Sequence, residues 1–195
     1  YVCIDGDIPY CVPNGWEWCT LGICCQKTIK RGKSPKYSTE GNTLVFAQKC
    51  NTKHNGIDLS LALKLEKTML TKYSDEEFMI DEDIVINSTG TGTLGRVGIY
   101  KDSDNYNHAQ IVPDSHVTVI RTHSLISSKY VYAFLKYNQP LLEKMGEGST
   151  NQKELKPISL INLRIPIPPL EEQKRIVDKV AMLLNCINSI EVNLV

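Results

Sequence analysis

Residues 166–195 read PIPPLEEQKRIVDKVAMLLNCINSIEVNLV. Pro166, Pro168 and Pro169 lack the N–H donor that a helix interior needs, so the first four residues are extended or turn. A helix can begin just after Pro169, with Glu171 and Glu172 in the first turn, where the macrodipole favours acids. From there Ile176, Val180, Leu183, Ile187, Ile190 and Leu194 are spaced 4, 3, 4, 3 and 4 apart. That is a period of 3.5, the seam of a coiled coil. A helix over 170–195 would be ~39 Å long at 1.5 Å per residue. The bland alternative is an amphipathic helix lying on its own domain. The proline break and the narrow stripe, flanked by Asn185, Asn188 and Glu191, favour a protruding helix for dimerisation or subunit docking. The expected division is therefore a folded head over 1–165, with an extended arm over 1–15, and a helix over 166–195.

Upstream, the apolar pattern changes to that of strands. Residues 43–47 and 83–87 are β candidates, as are 94–100, 117–121 and 159–165, and Trp16-Glu17-Trp18 suggests a short strand or a core plug. Residues 127–138 carry Tyr130, Val131, Phe134, Leu135 and Tyr137 at helical spacing, stopped by Pro140. The expected class is α+β: a β-rich domain with helices, then a long C-terminal coiled-coil helix.

With 195 residues, the chain can bury roughly 70% of its unfolded surface without a metal or disulfide. No apolar run reaches the ~20 residues of a membrane helix, and no basic-then-apolar secretory pattern opens the chain. Seven cysteines occur, with Cys11, Cys19, Cys24 and Cys25 near the N-terminus. Their spacing lacks the two close pairs that zinc favours, so reduced thiols in a cytoplasmic protein are expected, with no metal or cofactor. Formal net charge is zero, which argues against an indiscriminate polyanion binder. Yet Lys27, Lys30, Arg31, Lys33 and Lys36 share one stretch without an acid, as a local phosphate contact requires.

Gly90-Thr-Gly-Thr-Leu-Gly95 matches the dinucleotide-binding G-x-G-x-x-G pattern after a predicted strand, with Asp114 further on. The pattern needs a following helix to hold the pyrophosphate. Here Arg96-Val-Gly-Ile-Tyr is β-like, so strand, loop and strand form a hairpin. A small nicotinamide-type enzyme is accordingly the weakest reading. No G-x-S-x-G, H-E-x-x-H or P-loop lysine motif occurs. A tip of Gly and Thr beside Arg96 suits DNA, because bare backbone approaches phosphates while hydroxyls and Arg reach base edges.

Several blocks together resemble one family. Ile8-Pro-Tyr with Pro13-Asn-Gly-Trp-Glu-Trp and Leu21-Gly, residues 83–98, His116-Val-Thr-Val-Ile-Arg, Gly148-Ser-Thr-Asn-Gln-Lys-Glu-Leu-Lys-Pro-Ile and Ile165-Pro-Ile-Pro-Pro-Leu-Glu-Glu-Gln-Lys-Arg-Ile-Val are similar, in order, to a target-recognition domain. They run into the conserved-region helix of a type I restriction-modification specificity subunit. After Leu21-Gly this sequence has Ile23-Cys-Cys where the family carries an acid. The resemblance implies a non-catalytic protein that binds double-stranded DNA, reads half of a split site and docks methyltransferase and restriction subunits. One recognition domain and one helix imply a fragment, or a half-subunit that pairs. The competing reading is a protein-interaction module that uses its helix without reading DNA.

Base-reading residues vary within such domains, so candidates come from chemistry. Gln48, Asn51, Thr91, Thr93, Arg96, Asn151 and Gln152 are expected at bases, since Arg suits guanine and Asn or Gln suits adenine. Lys27, Lys30, Arg31, Lys33, Lys49 and Lys53 are expected at phosphates. Residues 149–152 could equally cap the turn that follows.

Overall fold

The computed structural model describes residues 8–90, 92–148 and 153–193. At its centre is β6 (Ile84–Asn87), whose four residues are all buried. A run apolar on both faces belongs inside a layered fold. β6 pairs antiparallel with β7 (Val97–Ile99) and β9 (Val117–Ile120), and β2 (Lys30–Arg31) adds to the far side of β9. Ile84, Ile86 and Ile120 face a core shared with Leu21, Val131, Leu135, Leu142 and Leu160. Three helices supply much of that core: α1 (Ser128–Tyr137), α2 (Gln139–Lys144) and α3 (Pro157–Ile161).

Period-two alternation turns Val85, Val117 and Val119 to the opposite side, against Phe46 and Ile111 of a second sheet. That sheet has the order β3 (Tyr37–Ser38), β5 (Leu63–Leu65), β4 (Thr43–Phe46), β8 (Gln110–Pro113), with β4 and β8 parallel. Its outer side buries Val45, Leu65 and Val112 under Met69 and Tyr73, which lie within and directly after the 3-10 segment Lys67–Lys72. Helices, sheet, sheet and 3-10 turns thus form four layers. β1 (Glu17–Thr20) pairs with β10 (Arg164–Ile167) beside the helices.

The mixed architecture with a long last helix agrees with the sequence expectation, although several boundaries differ. Residues 159–165 do not form one strand. Pro157 occupies the first turn of α3, where its fixed φ suits a helix, and the strand begins only at Arg164. The helix expected over 127–138 does end before Pro140, at Tyr137, but Pro140 then lies in the first turn of a second helix, α2. Trp18 is half-buried on β1 rather than plugging the core, and its indole donates to Tyr10 O at 3.0 Å. The part of the expected arm over 1–7 lies outside the described residues.

α4 (Leu170–Asn193) begins where the proline break predicts. Its first turns are fastened to the head. Gln173, 1% exposed, accepts from Ser127 N at 2.8 Å and donates to Pro168 O at 2.9 Å. Tyr130 donates its hydroxyl to Pro166 O at 2.6 Å, and the Trp16 indole donates to Glu172 at 3.3 Å. Ile176 and Val177 pack against the helix-side core. Beyond them Val180, Leu183, Leu184, Ile187 and Ile190 are exposed. At 100° per residue these five share one side, a broader face than the predicted seam. Met182 is exposed on the other side, while Leu194 lies outside the described residues, as do the side chains of Asn188 and Glu191.

Candidate nucleic-acid interface

The pairing registers bring the ends of β2, β4, β6 and β8, and the starts of β7 and β9, to one end of the two sheets. The connections 47–56, 88–96 and 114–116 therefore meet there. Residues 147 and 154 join them through bridges between Thr89, Glu154 and Glu147.

The glycine loop is a hairpin tip, followed by antiparallel β7 rather than a helix, so it supplies no helix N-terminus for a pyrophosphate. Gly90 has φ +96°, and a Cβ there would lie 2.6 Å from Thr93 Oγ1. Gly95 has φ +74°, and its Cβ would lie 2.8 Å from Glu143 N. Neither place tolerates a side chain.

Gln48, Asn51, Thr93 and Arg96, drawn from two stretches of sequence, fall within one network. Gln48 Nε2 donates to Thr89 O at 2.7 Å and Thr89 Oγ1 at 2.6 Å. Thr93 donates to Thr89 O at 3.2 Å. Arg96 donates to Asn51 O at 2.9 Å and Gly92 O at 3.3 Å, leaving three guanidinium N–H groups for a ligand. Asn51 is different. It is 1% exposed, and its amide donates to Asn87 Oδ1 at 3.2 Å and Arg96 O at 3.0 Å. Its side chain braces the hairpin instead of facing solvent. Thr91, Asn151 and Gln152 lie outside the described residues, as does the suggested cap at 149–152.

The lysines divide into two groups. Lys49 and Lys53 are exposed on the 47–56 connection with no ion-pair partner among the described residues. The stretch 27–36, acid-free in sequence, meets its acids in space. Lys27 donates to Glu76 O at 3.0 Å, Lys30 lies 3.4 Å from Glu77, and Lys33 lies 2.6 Å from Glu77. Lys33 also donates to Lys72 O. Arg31 pairs with Glu154 at 2.9 Å. The first three lysines thus staple β2 to the outer 3-10 turns, which a linear charge run cannot reveal. Sequence reading also missed a basic cleft of about 360 Å³ that gathers Lys53, His54, Lys101 and Lys136 around one acid, Asp104. Lys136 donates to Val97 O at 3.1 Å; desolvation and the nearby Arg96 push its pKa down. Its isolated position on an apolar helix hid it.

Glu77 carries a stability prediction. Burial alone would raise its carboxyl, but the hydrogen bonds from Lys33 and Ser74 N, aided by the charges of Lys30 and Lys33, outweigh it and hold the pKa at about 2, below its ordinary 4.5. A depressed pKa stabilises fully above the unfolded value and ceases to stabilise as pH falls through the folded one. Glu77→Gln should lose about 1–3 kcal/mol at pH 7. It should also unfold with a flatter acid limb between pH 4.5 and 2. Urea titrations across that range check both expectations.

Buried Cys24 and Cys25 are pushed up to about 12 by desolvation, which leaves them as core thiols. Among the described residues no three His, Cys, Asp or Glu side chains cluster as a metal site. No described helix is long and apolar enough to cross a membrane.

Loops carried by two stacked sheets, with one long helix emerging beside them, define a β-rich head on a helical stalk. The family model described as the type I restriction modification DNA specificity domain matches residues 13–194, and the chain belongs to that family. Among curated relatives, it is 27% identical over 187 residues to the EcoBI specificity subunit of Escherichia coli, covering 92% of this chain and 37% of that protein. A putative type I specificity subunit of Haemophilus influenzae is 37% identical over 111 residues, covering 54% and 26%. The chain thus spans about a third of the curated relatives it matches. Among solved structures, a chain of a type I R-M system superposes with a TM-score of 0.74 at 22% identity, covering 96% of this chain and 43% of that one. The HsdS subunit of Thermoanaerobacter tengcongensis gives 0.70 at 22% identity, covering 95% and 41%. These two likenesses establish the fold.

Proposed function

We propose that this chain is a non-catalytic DNA reader: its loop end recognises one half of a two-part site, and α4 joins it to a second recognition half and to methyltransferase and restriction subunits. The observation that carries the reading is the convergence of residues 48–53, 89–90 and 92–96 on one end of the sheets, with Lys49 and Lys53, which have no ion-pair partner among the described residues, at its rim. Thr93 and the Arg96 N–H groups without a partner among the described residues contact bases, and Thr91, Asn151 and Gln152, outside those residues, join them on their chemistry alone. Gln48, with both amide hydrogens occupied, offers its carbonyl oxygen alone. Lys49, Lys53 and the cleft lysines take phosphates. Lys27, Lys30 and Lys33 contribute less, since each must first leave an acid or carbonyl partner.

Selection from random duplexes, with the partner methyltransferase present, should enrich one short motif. Enrichment of none would defeat the reading. Replacing Lys49 and Lys53 together by alanine should weaken every duplex alike. The slope of log K against log salt should shrink by about 0.9 for each lost phosphate contact; an unchanged slope removes these lysines from the interface. The exposed side of α4 also supports a protein-interaction module. That reading gains ground if subunits dock while no duplex is preferred.

A further inference from the structure

Building on the DNA-reading assignment, we infer that His116 contacts a base, presenting its Nε2–H to the N7 of a purine, and that Thr89 and Gln48 are positioning residues for its ring. Gln48 Nε2 lies 2.7 Å from Thr89 O and 2.6 Å from Thr89 Oγ1. A carbonyl oxygen only accepts, so the amide orientation is fixed and both its hydrogens point at Thr89. Having accepted from Gln48, the Thr89 hydroxyl keeps one hydrogen of its own. His116 Nδ1 stands 2.8 Å away. With that hydrogen directed at Nδ1, the neutral ring carries its proton on Nε2.

The backbone is held as firmly as the ring. His116 N donates to Asp114 Oδ1 at 2.8 Å, and His116 O accepts from Ser88 N at 2.8 Å. Asp114 is 4% exposed, so this anchor is internal. The imidazole itself is exposed at the loop end, and its Nε2 has no partner among the described residues. A donor fixed at three points suits a directional target more than a phosphate, which a flexible lysine serves as well. On the major-groove edge, a lone donor meets N7 of adenine or guanine, O6 of guanine or O4 of thymine, and N7 is the acceptor that both purines share. His116 lies 20 residues beyond Arg96, so only the sheet register, with Val117 opposite Asn87, brings it beside the glycine loop.

The test uses the motif enriched by the protein with its methyltransferase, with 7-deazapurine placed at each purine of the half-site in turn. At one position the substitution should weaken wild-type binding roughly 2- to 12-fold, as the loss of a single neutral hydrogen bond does, and leave His116→Ala binding unchanged. Thr89→Val and Gln48→Ala, which free the ring without removing it, should show an intermediate sensitivity there and an unaltered salt slope. Undiminished sensitivity of His116→Ala at every position overturns the inference, as does an equal loss on all duplexes. Both outcomes leave DNA reading intact, whereas a wild-type protein that enriches no motif overturns the two together.

Discussion

Asp83→Ala is expected to cost about 3–5 kcal/mol of folding stability. The Asp83 side chain is fully buried and the Arg121 side chain is 13% exposed. The guanidinium grips the carboxylate at two points, 2.8 Å through Nε and 2.7 Å through Nη2. It also donates to Phe78 O at 2.8 Å, while Asp83 accepts from Ile80 N at 3.0 Å. Removing the acid leaves a buried cation with no counter-charge and an orphaned N–H, and that desolvation sets the size of the loss. For a chain of this length, the melting temperature should fall by roughly 6–20 °C. Arg121→Met added to Asp83→Ala should restore part of the loss, because neither charge is then stranded. Chemical unfolding of the two variants checks this, and a single variant within 1 kcal/mol of wild type would refute it.

Leu183→Glu combined with Ile187→Glu is expected to abolish association through α4. Both side chains are about half exposed in the isolated chain, so substitution should shift the unfolding of the head by no more than about 0.5 kcal/mol. In an assembly the exposed half of each would be buried, at about 0.75–1.5 kcal/mol per side chain. In a symmetric pair four such sites fail at once, a loss of about 3–6 kcal/mol, a large share of the roughly 8 kcal/mol of a micromolar association. Sedimentation of the chain alone, and binding to the methyltransferase subunit, should both show the loss. Retention of both associations by the variant would place the contact elsewhere.

Resemblance in the blocks at 83–98 and 116–121 acquires a physical reason once the strands are paired. Asp83 and Arg121 stand at the outer ends of β6 and β9, and the strands between them set the register that lets them meet. The start of α4 was legible because proline chemistry and helical periodicity are local. β6 was legible because an unbroken apolar run is itself the sign of burial. Strands β2, β3, β5 and β8 were not; runs of two to four residues, most of them interrupted by Lys, Gln or Pro, carry no period to read. Side-chain chemistry picked Gln48, Asn51 and Arg96 alike, because an amide that can meet adenine and one that braces a hairpin, as Asn51 does, are identical in sequence.

The sequence by itself determined the family, the apolar runs of the central strands and the break that starts the last helix. These depend on residue type and spacing along the chain. Tertiary structure decided which charges are free and which amides are occupied. Lys33 and Glu77 are 44 residues apart, and Gln48 and Thr89 are 41. No local rule joins groups at such separations. Only the stacking of two sheets brings them within hydrogen-bond reach.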